Sequence, residues 1–393
     1  MSEVDQIQRS LADLNNENHW SRAKQIVKSE YGDQGEEGAA FYGLVTQVFE
    51  GLKKNELGDN TPTVRWTSEQ AAQWAVRHTL QKSFGESMDK KYPGGRWVTM
   101  NGQHIYLTKD GQIAKETLPK ISEMKNQGSG SHLGGAGKKD IFTDDKGRQY
   151  IFKPAESKGG QREEFRAHVQ TAVSNIASRI FKYGDHIPVH TDRIKGGKLG
   201  SVQPLVPGVM GNLKELNWKS LTPQQIQDIQ REHVLDWTVG NFDSHAGNFI
   251  LTEQGKVLGV DKEQAFRYSK DKGSHHMSLD YHPNAQYGEQ EPLYNTMYRE
   301  YAKGKVDLDL TAVDSALDKL KAIPDQEYRK MLKPYADSLK LPESFYTQAI
   351  ERKNNAGNEF KSFFAKLTEQ RRGTQKVKKN AQTDKDIKVV LKK

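Results

Sequence analysis

Apolar residues recur at helical spacing over residues 161–183, where Phe165, Val169, Ala172, Val173, Ile176 and Ile180 fall on one face. The same period runs through residues 223–239, with Ile226, Ile229, His233, Val234 and Trp237 on the inward side. Further helices are expected at 310–322 and 342–369. Residues 1–92 also read as mostly helical. Thr67 and Gln70 frame a capping box there, and Trp74, Leu80 and Phe84 are candidates for a buried face. Strand-like patterns occupy the remainder. Residues 96–113 form a small meander punctuated by Asn101-Gly102 and Asp110-Gly111. The turn Asp144-Asp145-Lys146-Gly147 leads into a short apolar strand, residues 149–154, which Pro154 ends because it cannot donate to a ladder. Two more apolar runs, 249–251 and 257–260, make a hairpin. The expected plan is α+β: a helical region (1–92), a β-hairpin or meander (93–120), a small β-rich lobe (121–206), a larger helical lobe (207–368) and a basic tail (369–393).

The polar residues around the second hairpin carry the candidate chemistry. Asp243 is followed five residues later by Asn248, and the hairpin then delivers a second acid, Asp261. An acid, an amide and an acid in this order suit phosphoryl transfer. One carboxylate orients a hydroxyl nucleophile, while the amide and the second carboxylate hold magnesium against a triphosphate. Upstream lies a glycine-serine run, residues 128–137, whose GSGS and GGAG parts are both candidates to cover phosphates, since glycine lets backbone N–H groups approach an anion. Ser129, Gly130 and Ser131 belong to its first part. Lys153, at the end of the strand that follows, would supply a cation for the α- and β-phosphates. A glutamate from the helix 161–183 would pair with it, and both Glu163 and Glu164 qualify. Taken singly, each of these residues has an ordinary reading: Asp243 and Asn248 as turn residues, Asp261 as a strand-end acid, Lys153 as a surface lysine, the glycine run as a linker.

Together, GSGS, FKP, REEF, SVQPLVPG, GNFDSHAGNF and GVDKEQAF resemble the atypical kinases of the phosphatidylinositol 3/4-kinase-like group. That group includes the HipA-like bacterial serine/threonine kinases, the type II phosphatidylinositol 4-kinases and the actin-fragmin kinase. The resemblance spans roughly residues 126–365 and implies a two-lobed, protein-kinase-like fold that uses ATP and Mg²⁺. It implies Asp243 as the catalytic acid, His245 as an orienting residue in its loop, and Asn248 and Asp261 as metal ligands. The group's pattern of glutamate before an apolar residue favours Glu164 over Glu163 as partner of Lys153. Residues 201–206 resemble the strand entering the hinge, where backbone groups near Gln203 and Leu205 would bond adenine. Two positions depart from the group. Ser244 stands where arginine is usual, at a position tied to substrate engagement. Asp261 is followed by Lys262-Glu263, which would set a cation beside a metal acid and weaken a second metal. The residues after Asp261, including 281–284 and 291–295, fall where an activation or substrate segment would lie. The meander at 96–113 is similar to an element at the ends of phage head-morphogenesis proteins, suggesting a bacterial or phage origin.

Composition narrows the remaining classes. The 393 residues are 34% hydrophobic with a mean hydropathy of −0.85, and no run approaches the eighteen apolar residues of a membrane span. The start of the chain has no basic-then-apolar signal pattern, so the cytosol is the expected compartment. Cysteine is absent, which excludes disulfides and cysteine–zinc sites. A histidine zinc site from His245, His275, His276 and His282 fits no compact ligand spacing, and no Gly-x-Ser-x-Gly elbow supports covalent catalysis. The net charge of +8 is concentrated after residue 370. There nine Lys or Arg stand against two Asp, a net +7 that leaves +1 for the rest. Such a tail is expected to be solvated and disordered, or to contact an acidic partner or nucleic acid. The leading expectation is therefore an ATP/Mg²⁺-dependent serine/threonine protein kinase of HipA-like type. The alternatives are a phosphatidylinositol kinase, an AMP-transferring enzyme, and a nucleotide-binding pseudokinase acting as a phage structural or assembly module.

Overall fold

The computed structural model describes residues 88–390 apart from 101–102, 110–113, 115–116, 134–136, 157–162, 183, 195, 284 and 286–289. The chain divides into two compact units, Met1–Arg96 and Trp97–Lys393. The expected helices before residue 88, with the cap at Thr67, lie outside the described residues, as does the third segment of the meander. Its first two segments are β1 (Arg96–Met100) and β2 (Gln103–Leu107), paired with each other.

The β-rich lobe is built from β3 (Lys125–Ser129), β4 (Asp140–Thr143), β5 (Gln149–Pro154), α1 (Phe165–Ile180), β6 (His190–Arg193) and β7 (Leu199–Pro204). The strands form one antiparallel sheet in the order β3-β4-β5-β7-β6. The β4–β5 turn forms as its residues require. Gly147 takes a positive φ of 77°, and Asp144 accepts from the backbone N–H groups of Lys146 (3.0 Å) and Arg148 (2.9 Å). Ile121, Phe142, Tyr150, Phe152 and Val202 close the core of this sheet. The apolar face of α1 is buried as expected, except that Phe165 at its first turn is only half-buried.

The second lobe contains β8 (Val209–Asn212), α2 (Pro223–Thr238), β9 (Phe249–Thr252), β10 (Val257–Gly259), α3 (Leu293–Ala302), α4 (Asp314–Lys321), α5 (Asp325–Leu339) and α6 (Glu343–Val390). This is the α+β, two-lobed plan expected: a sheet with one helix, then a mainly helical part. Helix α2 starts where Thr222 accepts from the Gln225 N–H and the Gln225 side chain accepts from the Thr222 N–H, with Pro223 at the first helical position.

Three segments differ from expectation. Residues 291–295 do not belong to an exposed substrate segment: they lead into α3, whose Leu293, Tyr294, Met297 and Tyr298 are core residues. Helix α5 was not among the helices expected, and Pro334 lies inside it. It nonetheless buries Tyr328, Met331, Leu332, Tyr335 and Ala336 at helical spacing, with Pro334 on the exposed side. The last helix does not end at residue 369 but continues to Val390, so the basic segment is helical. Its first residues are anchored. Arg371 donates to the carbonyls of Tyr301 (3.3 Å) and Val306 (2.6 Å), pairs with Asp307 and lies 4.4 Å over the Tyr301 ring. Beyond it, Arg372, Gly373 and Gln375 to Val377 are exposed.

This anchor separates two truncations. Deleting Gly373–Lys393 is expected to leave the urea midpoint unchanged. Arg371→Ala is expected to lower stability by about 1–3 kcal/mol, the worth of charge-assisted hydrogen bonds. Equal effects of the two changes would show that the anchor lies elsewhere.

Two buried histidines set an acid limit. Burial lowers the pKa of His186 from 6.5 to about 4, and burial with the nearby Arg352 charge lowers that of His233 to about 3. Both are neutral in the folded chain, so below pH 6.5 the unfolded chain takes up protons that the folded chain refuses. Stability present above pH 6.5 is lost as pH falls toward these values, about 2 kcal/mol per histidine at pH 5. Urea midpoints measured at pH 7 and 5 should differ accordingly, and His233→Phe should reduce the difference.

Candidate active site

Helix α2 ends at Thr238 with Val239 as its cap, and Gly240 turns the chain in the left-handed region (φ 60°) into the loop that carries Asp243. Internal bonds fix this loop. Asn241 donates from its backbone to Asp236 O (2.8 Å) and from its side chain to Asp236 Oδ1 (2.9 Å). Ser244 is almost fully buried. Its Oγ donates to Asn241 O (2.8 Å), and its carbonyl accepts the N–H of Leu293 (2.9 Å) at the start of α3. The departure at Ser244 is therefore a tie within the core and not a surface for substrate. His245 Nδ1 accepts the Gly247 N–H (3.1 Å), which leaves the ring proton on Nε2, 3.8 Å from Asp243 Oδ1. Asn248 Nδ2 donates to the Asp243 carbonyl (2.6 Å). That bond fixes the amide's orientation and directs its oxygen, the atom a hard cation takes, away from Asp243 O.

The β9–β10 hairpin brings the second acid to this loop. Gly259 pairs with Phe249, and Val260 N–H donates to Asn248 O (2.9 Å), so Asn248 and Asp261 leave neighbouring strands side by side. Asp261 has a φ of 56°, a left-handed conformation that non-glycine residues seldom hold and that clusters at functional sites. Its Oδ1 is buried and accepts no well-aligned hydrogen bond. Lys153 Nζ lies 3.2 Å away as an ion pair. Burial opposes the charged carboxylate, but Lys153, Lys139 and His245 together outweigh it, and the Asp261 pKa lies below its usual value.

The next residue, Lys262, points away from the site. Its ammonium sits between Glu232 Oε1 (2.7 Å) and Asp236 Oδ1 (2.8 Å) on α2, and Tyr294 O–H donates to the other Asp236 oxygen (2.7 Å). The expected weakening of a metal by Lys262 has no geometric basis, because two carboxylates already hold that charge. Gly259 is required by the same cluster. A β-carbon there would lie 2.3 Å from Glu232 Oε1 and 2.7 Å from Lys262 Nζ.

The expected partner of Lys153 is elsewhere. Glu164 pairs with Arg193 (3.1 Å) and Glu163 with Arg166, so neither helix acid meets the lysine. Helix α1 is linked to the segment after Asp261 with the charges reversed, through Arg166 and Glu263 (2.8 Å). Burial and then the neighbouring Asp261 charge raise the pKa of Glu263. Lys139, not singled out in the sequence, is buried near Lys153. Burial and then the Lys153 charge lower its pKa, while Asp261 and Glu263 oppose them. Lys153 and Lys139 thus converge with Asp261 and Glu263, where Lys153 was expected to pair with Glu164.

The glycine run is folded on itself in its first part. Gly130 N–H donates to Lys139 O (2.8 Å) and Ser131 N–H to Ser129 Oγ (3.3 Å), so those two donors are already used. The three residues 134–136 lie outside the described residues. In the strand expected to enter a hinge, Gln203 is buried on β7, and Leu205 N–H donates to Gln149 O (2.8 Å). Leu205 therefore does not offer that donor to adenine. His275, His276 and His282 go to separate partners, Ser269 O, Glu359 and Gln290 O. Among the described residues there is no group of three or more His, Cys, Asp or Glu placed to hold a metal, and no helix is long and apolar enough to cross a membrane.

No protein-family model and no curated protein matches the sequence. Solved structures similar to it include the Helicobacter pylori proinflammatory kinase CtkA, at 13% identity and TM-score 0.31, covering 59% of this chain and 97% of that one. An N-terminal fragment of LepB from Legionella pneumophila is similar at 12% identity and TM-score 0.30, covering 55% and 45%. The MAP kinase LmaMPK10 from Leishmania major is similar at 12% identity and TM-score 0.27, covering 61% and 80%.

The fixed spacing of Gly259, Glu232 and Lys262 gives a direct stability test. Gly259→Ala is expected to cost about 3 kcal/mol or more in chemical denaturation, because it breaks a buried ion cluster. Gly137→Ala, where a β-carbon meets nothing within 4 Å, should stay within about 0.5 kcal/mol of the parent. A Gly259→Ala protein as stable as the parent would refute the buried cluster.

Proposed function

We propose that this protein is an ATP- and Mg²⁺-dependent phosphotransferase that acts on a serine or threonine hydroxyl of a protein, in the manner of the HipA-like kinases. The observation that carries the reading is the pairing of Val260 with Asn248, which sets Asp261 beside the Asp243–Asn248 loop and opposite Lys153. The residues fit the cofactor. Asp261 Oδ1 is a buried carboxylate oxygen whose neighbour is the Lys153 ammonium at 3.2 Å, with no well-aligned hydrogen bond, and Asn248 has its amide nitrogen engaged by the Asp243 carbonyl. Asp261 Oδ1 and the Asn248 amide oxygen would hold the metal. Lys153 and Lys139 would face the phosphates, below the glycine run. Bound Mg²⁺–ATP would supply the transferable phosphoryl group and the charge neutralisation that its transfer needs.

Asp243 would accept the proton of the substrate hydroxyl at its carboxylate. The His245 ring, with its Nε2 3.8 Å from Asp243 Oδ1, would help to orient that carboxylate. The bonds of Ser244 and Asn241 hold the loop still, so the acid is placed before substrate arrives. In the described state Lys153 occupies Asp261, and the cation would release the carboxylate as both take up Mg²⁺–ATP.

A second reading follows from the same ion pairs: a nucleotide-binding protein without turnover. It is supported by the Lys153–Asp261 pair and by the engagement of Glu164 with Arg193, which leave α1 without a hold on the lysine.

Incubation with γ-labelled ATP and Mg²⁺ separates the two. Label transfer to the protein itself or to a serine/threonine peptide is expected. It should fall at least about 10²-fold in Asp261→Asn and in Asp243→Asn, the size of such transition-state terms. Nucleotide binding without label transfer would favour the second reading, and an undiminished Asp261→Asn protein would end the metal assignment. Glu164→Gln should be silent in this assay, since its carboxylate serves Arg193.

A further inference from the structure

The short segment 261–266 follows β10 and begins with Asp261. Both of its ends lie in the left-handed region, Asp261 at φ 56° and Phe266 at φ 63°. Residues other than glycine hold that conformation where the surrounding contacts over-determine it. On the side of the helical lobe, Lys262 sits between Glu232 and Asp236 of α2, and Phe266 N–H donates to Val239 O (2.7 Å). On the side of the β-rich lobe, Asp261 pairs with Lys153 of β5 (3.2 Å) and Glu263 pairs with Arg166 of α1 (2.8 Å).

These two ion pairs respond differently to a bound nucleotide. On the phosphotransferase reading, on which this inference rests, Lys153 turns to phosphate oxygens and Asp261 to the metal, so their pair dissolves. Arg166 is held more firmly. Its Nε pairs with Glu163 at the entry to α1 and its Nη1 with Glu263, so two carboxylates already share its charge. Phosphate offers Glu263 no competing partner. The second pair therefore stays closed while the first opens, and it lies two residues along the chain from the metal acid.

We propose that Arg166 and Glu263 are a positioning pair, which holds the Asp261 segment against α1 after Lys153 has left it and so sets the affinity for the metal-bound nucleotide. A glutamate of α1 paired with Lys153 would place the lysine. This pair places the metal acid instead. Arg166 is 34% exposed and Glu263 26%, so their contact contributes little to stability, and neutral replacements leave the core intact. An ordinary surface ion pair of the same exposure would be indifferent to the metal.

Calorimetric titration of the full-length protein with the non-hydrolysable analogue AMP-PNP tests this, once with Mg²⁺ and once with EDTA. Mg²⁺ is expected to tighten binding to the parent protein. Arg166→Met and Glu263→Gln should each weaken binding with Mg²⁺ about tenfold, an ordinary coupling for residues in contact, and binding in EDTA by at most about threefold. By charge alone, losing the Arg166 cation would weaken the more anionic metal-free nucleotide more than its Mg²⁺ complex, so a larger loss with Mg²⁺ reports placement. Arg166→Lys, which keeps the charge, should retain most of the Mg²⁺ effect. The double variant Arg166→Met/Glu263→Gln should bind no more weakly than either single one, because the pair acts as a unit. Equal losses with Mg²⁺ and EDTA, additive losses in the double variant, or no loss would each overturn the proposal. A parent that binds Mg²⁺–AMP-PNP but transfers no label from ATP would refute phosphoryl transfer alone. Variants that match a binding parent would refute the positioning pair alone, and a parent that binds no nucleotide would end both.

Discussion

The Lys262 ammonium, enclosed by Glu232 and Asp236, is the interaction on which the geometry of the candidate site depends. It joins the residue after Asp261 to the middle and the end of α2, the helix that leads into the Asp243 loop. Two carboxylates sharing one cation leave a buried excess of negative charge, and burial accordingly raises the Glu232 pKa. The excess is tolerated because Asn241 and Tyr294 complete the hydrogen bonding of Asp236. One cluster therefore fixes three things: where the hairpin ends, how α3 packs, and which way Asp261 faces. It also keeps the Lys262 charge away from Asp261, so that Lys153 is the cation in direct contact there.

Around α1 the same acids and bases form different pairs from those that their order suggests. Glu164 turns to Arg193 on β6 and Arg166 turns to Glu263. The helix is thus coupled to the segment after Asp261 and not to β5.

Much of this was legible in the sequence, and the reason differs from part to part. The β4–β5 turn, the β9–β10 hairpin, α2 and the inner face of α1 follow from local rules: turn residues with required backbone angles, a capping box, apolar spacing. Helix α5 has equally clear spacing, Tyr328, Met331, Leu332, Tyr335 and Ala336, and was legible on the same ground although Pro334 lies inside it. The placement of Asp243, Asn248 and Asp261 near one another was readable because a short hairpin connects them. The pairing of charges was not. Lys139, Glu232, Asp236 and Glu263 are distant in sequence or unremarkable in type, and only the packing of helix on sheet decides which carboxylate reaches which cation. The hinge shows the same limit: a strand entering it was foreseeable, but not that Leu205 would bond back to Gln149.

The continuation of α6 has an electrical consequence. Eighteen helical residues from Gly373 to Val390 span about 27 Å. They carry five lysines against two aspartates, whereas the chain before Arg371 is nearly neutral. A helix end so charged, closing a sequence otherwise nearly neutral, is drawn toward an anionic surface more strongly than the sequence before it, and that attraction fades as the screening length shortens with added salt.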